Sequence, residues 1–177
     1  SLVFDTENRL RLATKYGLVH TGAIALAPGA EFGPAKKWPI SYFSEVARYC
    51  VSKGRQIWLL GSAKDSADCA VIAREVEGVI DLSGKTSLVD VVDLISLAEF
   101  LVCNDSGLMH VSAALGTKTI AMFGSTTDEF TPPLSSNSQI LAKSLDCRPC
   151  FKRACPLGHL DCLNKIAPQE VISVLDL

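Results

Sequence analysis

The sequence predicts an α/β fold, a parallel sheet of about six strands with helices on both faces. Three observations predict it. From Ile24 onward, short apolar runs alternate with amphipathic stretches, and a strand, a helix and a second strand close as a right-handed crossover between parallel strands. The apolar runs, among them Ile24-Ala25-Leu26-Ala27 and Phe100-Leu101-Val102-Cys103, lack polar alternation, as strands covered on both faces do. The Gly-, Ser- and Asp-bearing segments follow the runs, at the carboxyl ends where such a sheet binds ligands. Together these describe a Rossmann-like domain.

In chain order, Thr6 to Tyr16 fits a short helix, capped by Thr6 and stopped by Gly17. Residues 1–23 read as a linker or lead-in, and 24–177 as the domain proper. Ile24 to Ala27 is the first strand. After a Gly/Pro loop, Pro39 suits a first helical turn, and the helix carries Phe43, Val46, Ala47 and Cys50 on one face. Gln56 to Leu60 is the second strand, with a helix from about Asp65 to Val76. Val79 to Leu82 is the third. Ser87 then caps a helix whose Leu88, Val91, Val92 and Ile95 follow i, i+3, i+4, i+7 spacing. Phe100 to Cys103 is the fourth strand, and a helix from about Leu108 to Leu115 ends at Gly116. Thr119 to Phe123 and Gln139 to Ala142 are the fifth and sixth strands. Pro168 opens the last helix, with Val171, Ile172 and Leu175 inward.

Composition narrows the function classes. In 177 residues, 48% are hydrophobic and the net charge is −2. The apolar share argues against disorder, and the charge against nucleic acid as a partner. No apolar run reaches the ~18–20 residues of a bilayer span, and Ser1 to Asp5 do not begin a signal peptide. The absent initiator Met points to a truncated chain. Seven cysteines, an odd number without a secretory signal, favour a reducing compartment.

Five loops fall at the carboxyl edge. They are Pro28 to Pro39, Gly61 to Asp65, Ser83 to Thr86, Asn104 to His110 and Gly124 to Thr127. Neither G-x-G-x-x-G nor G-x-x-x-x-G-K-[ST] occurs, which weakens dehydrogenase and P-loop readings. The loops and helix N-termini can still hold a phosphate-bearing ligand. Lys36, beside a Gly-rich loop, can neutralise a diphosphate. Asp105 also suits plain N-capping, and His110 an ordinary helix-end histidine. Asp65 also suits a first-turn residue complementing a helix dipole.

Pro28-Gly29-Ala30 through Lys36-Lys37-Trp38-Pro39, together with Asn104-Asp105-Ser106-Gly107-Leu108-Met109-His110, resembles the paired signatures of the bacterial ADP-heptose:lipopolysaccharide heptosyltransferases. Phe130-Thr131-Pro132-Pro133-Leu134 is similar to the type II branch. The resemblance runs from about Ile24 to the C-terminus. It implies the C-terminal half of a GT-B glycosyltransferase, the half that binds the donor ADP-heptose, with the N-terminal acceptor domain absent from the chain. It also implies inverting transfer to the inner core of lipopolysaccharide, with heptosyl-Kdo-lipid A as acceptor. The work would take place at the cytoplasmic face of the inner membrane, with a peripheral membrane contact and no required cofactor.

The resemblance implies site roles too. Lys36 stabilises the leaving diphosphate, and Asp105 acts with it. Asp105, Ser106, Gly107 and Leu108 line the sugar and diphosphate, with His110 beside them. Asp65 reaches the ribose, Thr86 lies near adenine, and Glu31 borders the phosphates. Phe32 departs from the hydroxyl residue of some relatives. The general base, an Asp in the family, belongs to the N-terminal domain, so a chain lacking that domain is expected to bind ADP or ADP-heptose without transferring sugar.

Cys147-x2-Cys150-x4-Cys155-x6-Cys162, with His159 inside, has spacings short enough for one zinc or iron–sulfur site. Free or disulfide-paired thiols are the competing reading, and the resemblance brings no metal requirement. Two other functions remain open on the residues alone: another nucleotide-sugar enzyme, such as an epimerase or a different glycosyltransferase, and a metal-binding interaction module.

Overall fold

A computed structural model describes residues 2–127 and 135–177. The motif from Phe130 to Leu134 therefore lies outside the described residues. The strands are β1 (Ile24–Ala27), β2 (Ile57–Leu59), β3 (Ile80–Asp81), β4 (Phe100–Asn104), β5 (Lys118–Met122) and β6 (Ser138–Leu141). The helices are α1 (Thr6–Tyr16), α2 (Ile40–Ser52), α3 (Ser66–Glu75), α4 (Leu88–Leu97), α5 (Gly107–Leu115), α6 (Asp161–Asn164) and α7 (Pro168–Leu175). All five strand pairings are parallel, in the order β3-β2-β1-β4-β5-β6. The order reverses between β1 and β4, which opens a crevice at their carboxyl ends. The α/β sheet read from the sequence is the sheet observed. None of the described helices is long and apolar enough to cross a membrane.

The period of two along each strand sorts side chains between two cores. Ile24, Leu26, Ile57, Leu59 and Val102 face α2, α3 and α7, around the fully buried Trp38 and Phe43. Ala25, Ala27, Trp58, Leu60, Leu101 and Cys103 face the layer holding α1, α4 and α5. Trp38 sits edge-on to Phe43, with ring centroids 5.0 Å apart. Its indole N–H donates to the Ile166 carbonyl at 2.9 Å, which satisfies the polar end of a buried ring.

The lead-in is a packed helix. Asp5, rather than the expected Thr6, caps it, because Asp5 is extended and its carboxylate accepts the N–H groups of Glu7 and Asn8. Thr6 is already the first helical residue. Gly17 ends the helix in the left-handed region, as expected. Leu12 and Ala13 are buried. The Asp5 N–H and the Asn8 amide both donate to the buried Asp93 on α4, at 2.8 and 2.7 Å. The helix expected from Asp65 begins instead at Ser66. Ser62 and Asp65 close a capping box over a 3-10 turn, Ala63–Asp65, that precedes it. Val171 and Leu175 of α7 are buried, and Ile172 is half-buried.

One ion pair ties the segment after β6 to α7. Lys143 donates to Glu170 at 2.6 Å, and Glu170 also accepts the Ala167 N–H at 2.7 Å. The Lys143 hydrogen bond is the main cause that holds the Glu170 carboxyl below its ordinary 4.5, against a smaller opposing effect of burial. A depressed carboxyl stabilises the fold above its unfolded value, and that gain is lost as the pH falls through the folded value. The pair is partly solvated, which screens it. In urea denaturation at neutral pH, Glu170→Gln should therefore be less stable than wild type by under about 1 kcal/mol. The gap should narrow once the pH falls below 4.5. A gap that widened in acid would contradict the assignment.

Candidate functional site

The loop after β1 is held in place by the last residue of β4. Asn104 is fully buried. Its amide N–H donates to the Pro28 carbonyl at 2.8 Å and the Gly29 carbonyl at 3.3 Å, and its Oδ1 accepts the Trp38 N–H at 2.9 Å. One side chain thus satisfies both ends of the loop that carries Glu31, Lys36 and Lys37.

Asp105, the next residue, closes the centre of the site. Its carboxylate is 3% exposed and lies 2.9 Å from the Lys36 ammonium, itself 14% exposed. The Thr126 hydroxyl donates to the same oxygen, and the Asp105 N–H donates to the Met122 carbonyl at 3.1 Å. The capping alternative for Asp105 is overturned. Ser106 is the N-cap of α5, with no side-chain capping bond, and the Asp105 carboxylate serves Lys36 and Thr126. Lys36 also lies over the Phe32 ring at 4.8 Å. Lys37 points elsewhere, to Asp68 at 2.9 Å on the surface.

Ser106, the residue after Asp105, lines a cavity of ≈ 510 Å³, within the range of small-molecule sites. Three carboxyl-edge loops and the start of α5 line it. They supply Glu31, Asp65, Thr86, Ser106, Gly107 and Leu108, six of the residues singled out in the sequence. Lys36 and Asp105 form a buried pair outside this lining. His110 is exposed on α5 and is also absent from the lining. Glu31 is largely solvated and lies 3.7 Å from Lys64. The Thr86 hydroxyl oxygen is buried with no hydrogen-bond partner among the described residues.

Asp65 depends on glycine. A Cβ on Gly29 would fall 2.3 Å from Asp65 Oδ1, so only glycine lets the loop close over that carboxylate. Asp65 Oδ2 accepts the Ser62 N–H at 2.9 Å, and both carboxylate oxygens lie against Gly29. The cap and the cavity wall are therefore one residue.

Sequence reasoning missed the apolar wall. Leu60, Leu88, Val91 and Val111 line the cavity with Ala27. Leu88 and Val91 had been read as the inward stripe of α4, yet Leu88 is 70% exposed. The role of Phe32 was also missed. Its ring lies under Lys36 on the one hand and Arg153, at 5.3 Å, on the other.

The cysteines divide into two groups. Burial pushes the thiols of Cys50 and Cys69 up to about 12, and that of Cys103 higher still, so these are inert packing groups. Cys147, Cys150, Cys155 and Cys162 are free thiols around a separate cavity of ≈ 20 Å³. Backbone N–H groups, that of Leu160 foremost, hold the Cys155 thiol below its ordinary value, while burial raises that of Cys162. Among the described residues, no three His, Cys, Asp or Glu side chains are placed to hold a metal ion.

Known proteins share this architecture. The family model described as "Glycosyltransferase family 9 (heptosyltransferase)" matches residues 3–161. Lipopolysaccharide heptosyltransferase 2 of Salmonella typhimurium is 37% identical over 157 residues, 86% of this chain and 45% of that protein. Lipooligosaccharide heptosyltransferase 2 of Haemophilus influenzae is 42% identical over 67% of this chain and 36% of its own length. The solved structure of Escherichia coli ADP-heptose lps heptosyltransferase II superposes with a TM-score of 0.86 at 32% identity, over 99% of this chain and 52% of that one. The chain thus spans about half the length of these relatives.

The buried pair sets a stability contrast. Removing one partner of a buried ion pair strands the other and costs about 3–5 kcal/mol, whereas a surface pair contributes under about 1 kcal/mol. Urea denaturation should show Lys36→Met less stable by about 3 kcal/mol, at the low end because Lys36 keeps some solvent contact, and Lys37→Met by under about 1 kcal/mol. Equal losses would contradict the geometry.

Proposed function

The chain belongs to glycosyltransferase family 9, the heptosyltransferases, and from that premise we propose that its carboxyl-edge cavity holds ADP-heptose as the sugar donor. The observation that carries this reading is the buried Lys36–Asp105 pair beside a cavity at the β1/β4 switch point. A dinucleotide or P-loop fingerprint is lacking in the sequence, so the donor's diphosphate is met by Lys36 and by the uncapped N-terminus of α5. The backbone N–H groups of Gly107 and Leu108 stand there, and the macrodipole favours an anion.

The remaining residues divide the ligand between them. Leu88, Val91 and Val111 offer an apolar face to the adenine, with Thr86 at its edge. Asp65 takes the ribose hydroxyls. Glu31 borders the phosphates, Ser106 meets the sugar, and His110 stands at the rim of the helix start. In the reaction, an acceptor hydroxyl attacks the anomeric carbon with inversion, the glycosidic bond breaks and ADP leaves. The ammonium of Lys36 neutralises the charge that gathers on the diphosphate, and a preorganised donor of this kind is worth about 2.7–4 kcal/mol.

Asp105 is a positioning residue in this scheme. Its carboxylate is spent on Lys36 and Thr126, so it sets the ammonium and does not take the acceptor's proton. The chain is assigned the donor side of the reaction as residues 24–177, with 1–23 as lead-in. The acceptor, heptosyl-Kdo-lipid A, and its base belong to an N-terminal acceptor domain. The setting is the cytoplasmic face of the inner membrane.

Calorimetric titration of ADP tests the reading. Wild type should bind ADP, and Lys36→Ala should bind at least about tenfold more weakly, a loss of about 1.4 kcal/mol. Equal affinities would remove Lys36 from the diphosphate, and binding of UDP alone would remove the adenine nucleotide.

A further inference from the structure

Residues 142–160 join β6 to α6 without a strand or helix, and a connection of that length inside a domain calls for a source of order other than secondary structure. Phe151 and Leu160 hold left-handed backbone, at φ 56 and 51, a conformation that persists in non-glycine residues only where the surroundings impose it. Yet the segment is firmly joined to the donor edge. The Arg148 guanidinium donates to the carbonyls of Gly124, Lys143 and Thr126 at 2.7, 2.9 and 2.7 Å. The Ala35 N–H donates to the Arg153 carbonyl at 3.0 Å. Gly33, at φ 141, passes so close that a Cβ there would fall 2.7 Å from that same carbonyl oxygen.

Four cysteines from this segment and α6 meet at one point. Cys147, Cys150, Cys155 and Cys162 all line the cavity of ≈ 20 Å³, with Arg148 and His159 beside them. A site needs roughly 10–15 Å³ to admit one water-sized occupant, so the space suits a single ion and excludes an organic ligand. None of the four is in a disulfide. The turn Cys155-Pro156-Leu157-Gly158 brings Cys155 to the cavity wall, with His159 and Leu160 following it.

We propose that Cys147, Cys150, Cys155 and Cys162 form a tetrahedral four-thiolate site for one divalent transition cation, Zn²⁺ by the chemistry of the donors. Among the described residues no three His, Cys, Asp or Glu side chains are placed to hold a metal ion as they stand, so filling the site requires the four thiols lining the cavity to move inward. Four S–H protons leave to solvent as four metal–sulfur bonds form, with no change of oxidation state. The site then carries a net charge of −2, of which Arg148 at the cavity wall offsets one unit. The ion is structural: it fixes the segment whose Arg153 carbonyl holds the Lys36 loop from behind.

Elemental analysis of the chain purified without chelator tests this, alongside thiol titration. About one equivalent of metal per chain is expected, with the four thiols shielded from a thiol reagent until the metal is stripped. Cobalt added to the stripped protein should show thiolate–cobalt absorption, which Cys155→Ser loses and Cys50→Ser keeps. Less than about a tenth of an equivalent in folded wild type, or disulfide pairing among the four by mass spectrometry, would overturn the site. The wild-type stoichiometry depends neither on a variant folding nor on ADP binding, so its failure is distinct from failure of the donor reading.

Discussion

A buried ammonium and a buried carboxylate cannot be left alone, and the carboxyl edge of this sheet is organised around that constraint. Lys36 comes from the loop after β1 and Asp105 from the end of β4, 2.9 Å apart and mostly withdrawn from water. Desolvating either alone would cost several kcal/mol. Together, with the Thr126 hydroxyl on the same oxygen, they tie together the loops after β1, β4 and β5. Those strands are neighbours across the point where the sheet order reverses. The pair therefore locks three loops at the carboxyl edge through one buried contact.

The neighbouring residues keep the pair in register. Asn104 holds both ends of the β1 loop with three hydrogen bonds from a fully buried amide. Phe32 lies against the Lys36 ammonium and is itself covered by Arg153. The loop that bears the cysteines thus contributes to the carboxyl edge from behind, although it supplies none of the residues lining the larger cavity.

The sheet was legible from the sequence because two-sided burial leaves an unmistakable run of apolar residues, and each predicted strand lies within two residues of its observed bounds. The site loops were legible because Gly-, Ser- and Asp-bearing segments follow the strands at the carboxyl edge, where such a sheet binds ligands. What escaped was tertiary. Asp105 fits a cap in any local reading, and only the approach of Lys36 across the crevice reassigns it. Leu88 fits the inward stripe of α4 by spacing, and only the open cavity beside it makes it a wall. Asp5 and Thr6 are both good caps, and the extended backbone at Asp5 decided between them. His110 carried the motif but stands outside the cavity lining.

The claim on which the rest turns is that Asp105 acts on the donor through Lys36. A double-mutant cycle in ADP affinity tests it, with Lys36→Met, Asp105→Asn and both together. If the two act as one unit, each single variant weakens binding, and the double variant is no weaker than the worse single. The coupling energy would then be on the order of 1–3 kcal/mol. Losses that simply add would show two independent residues and contradict the account.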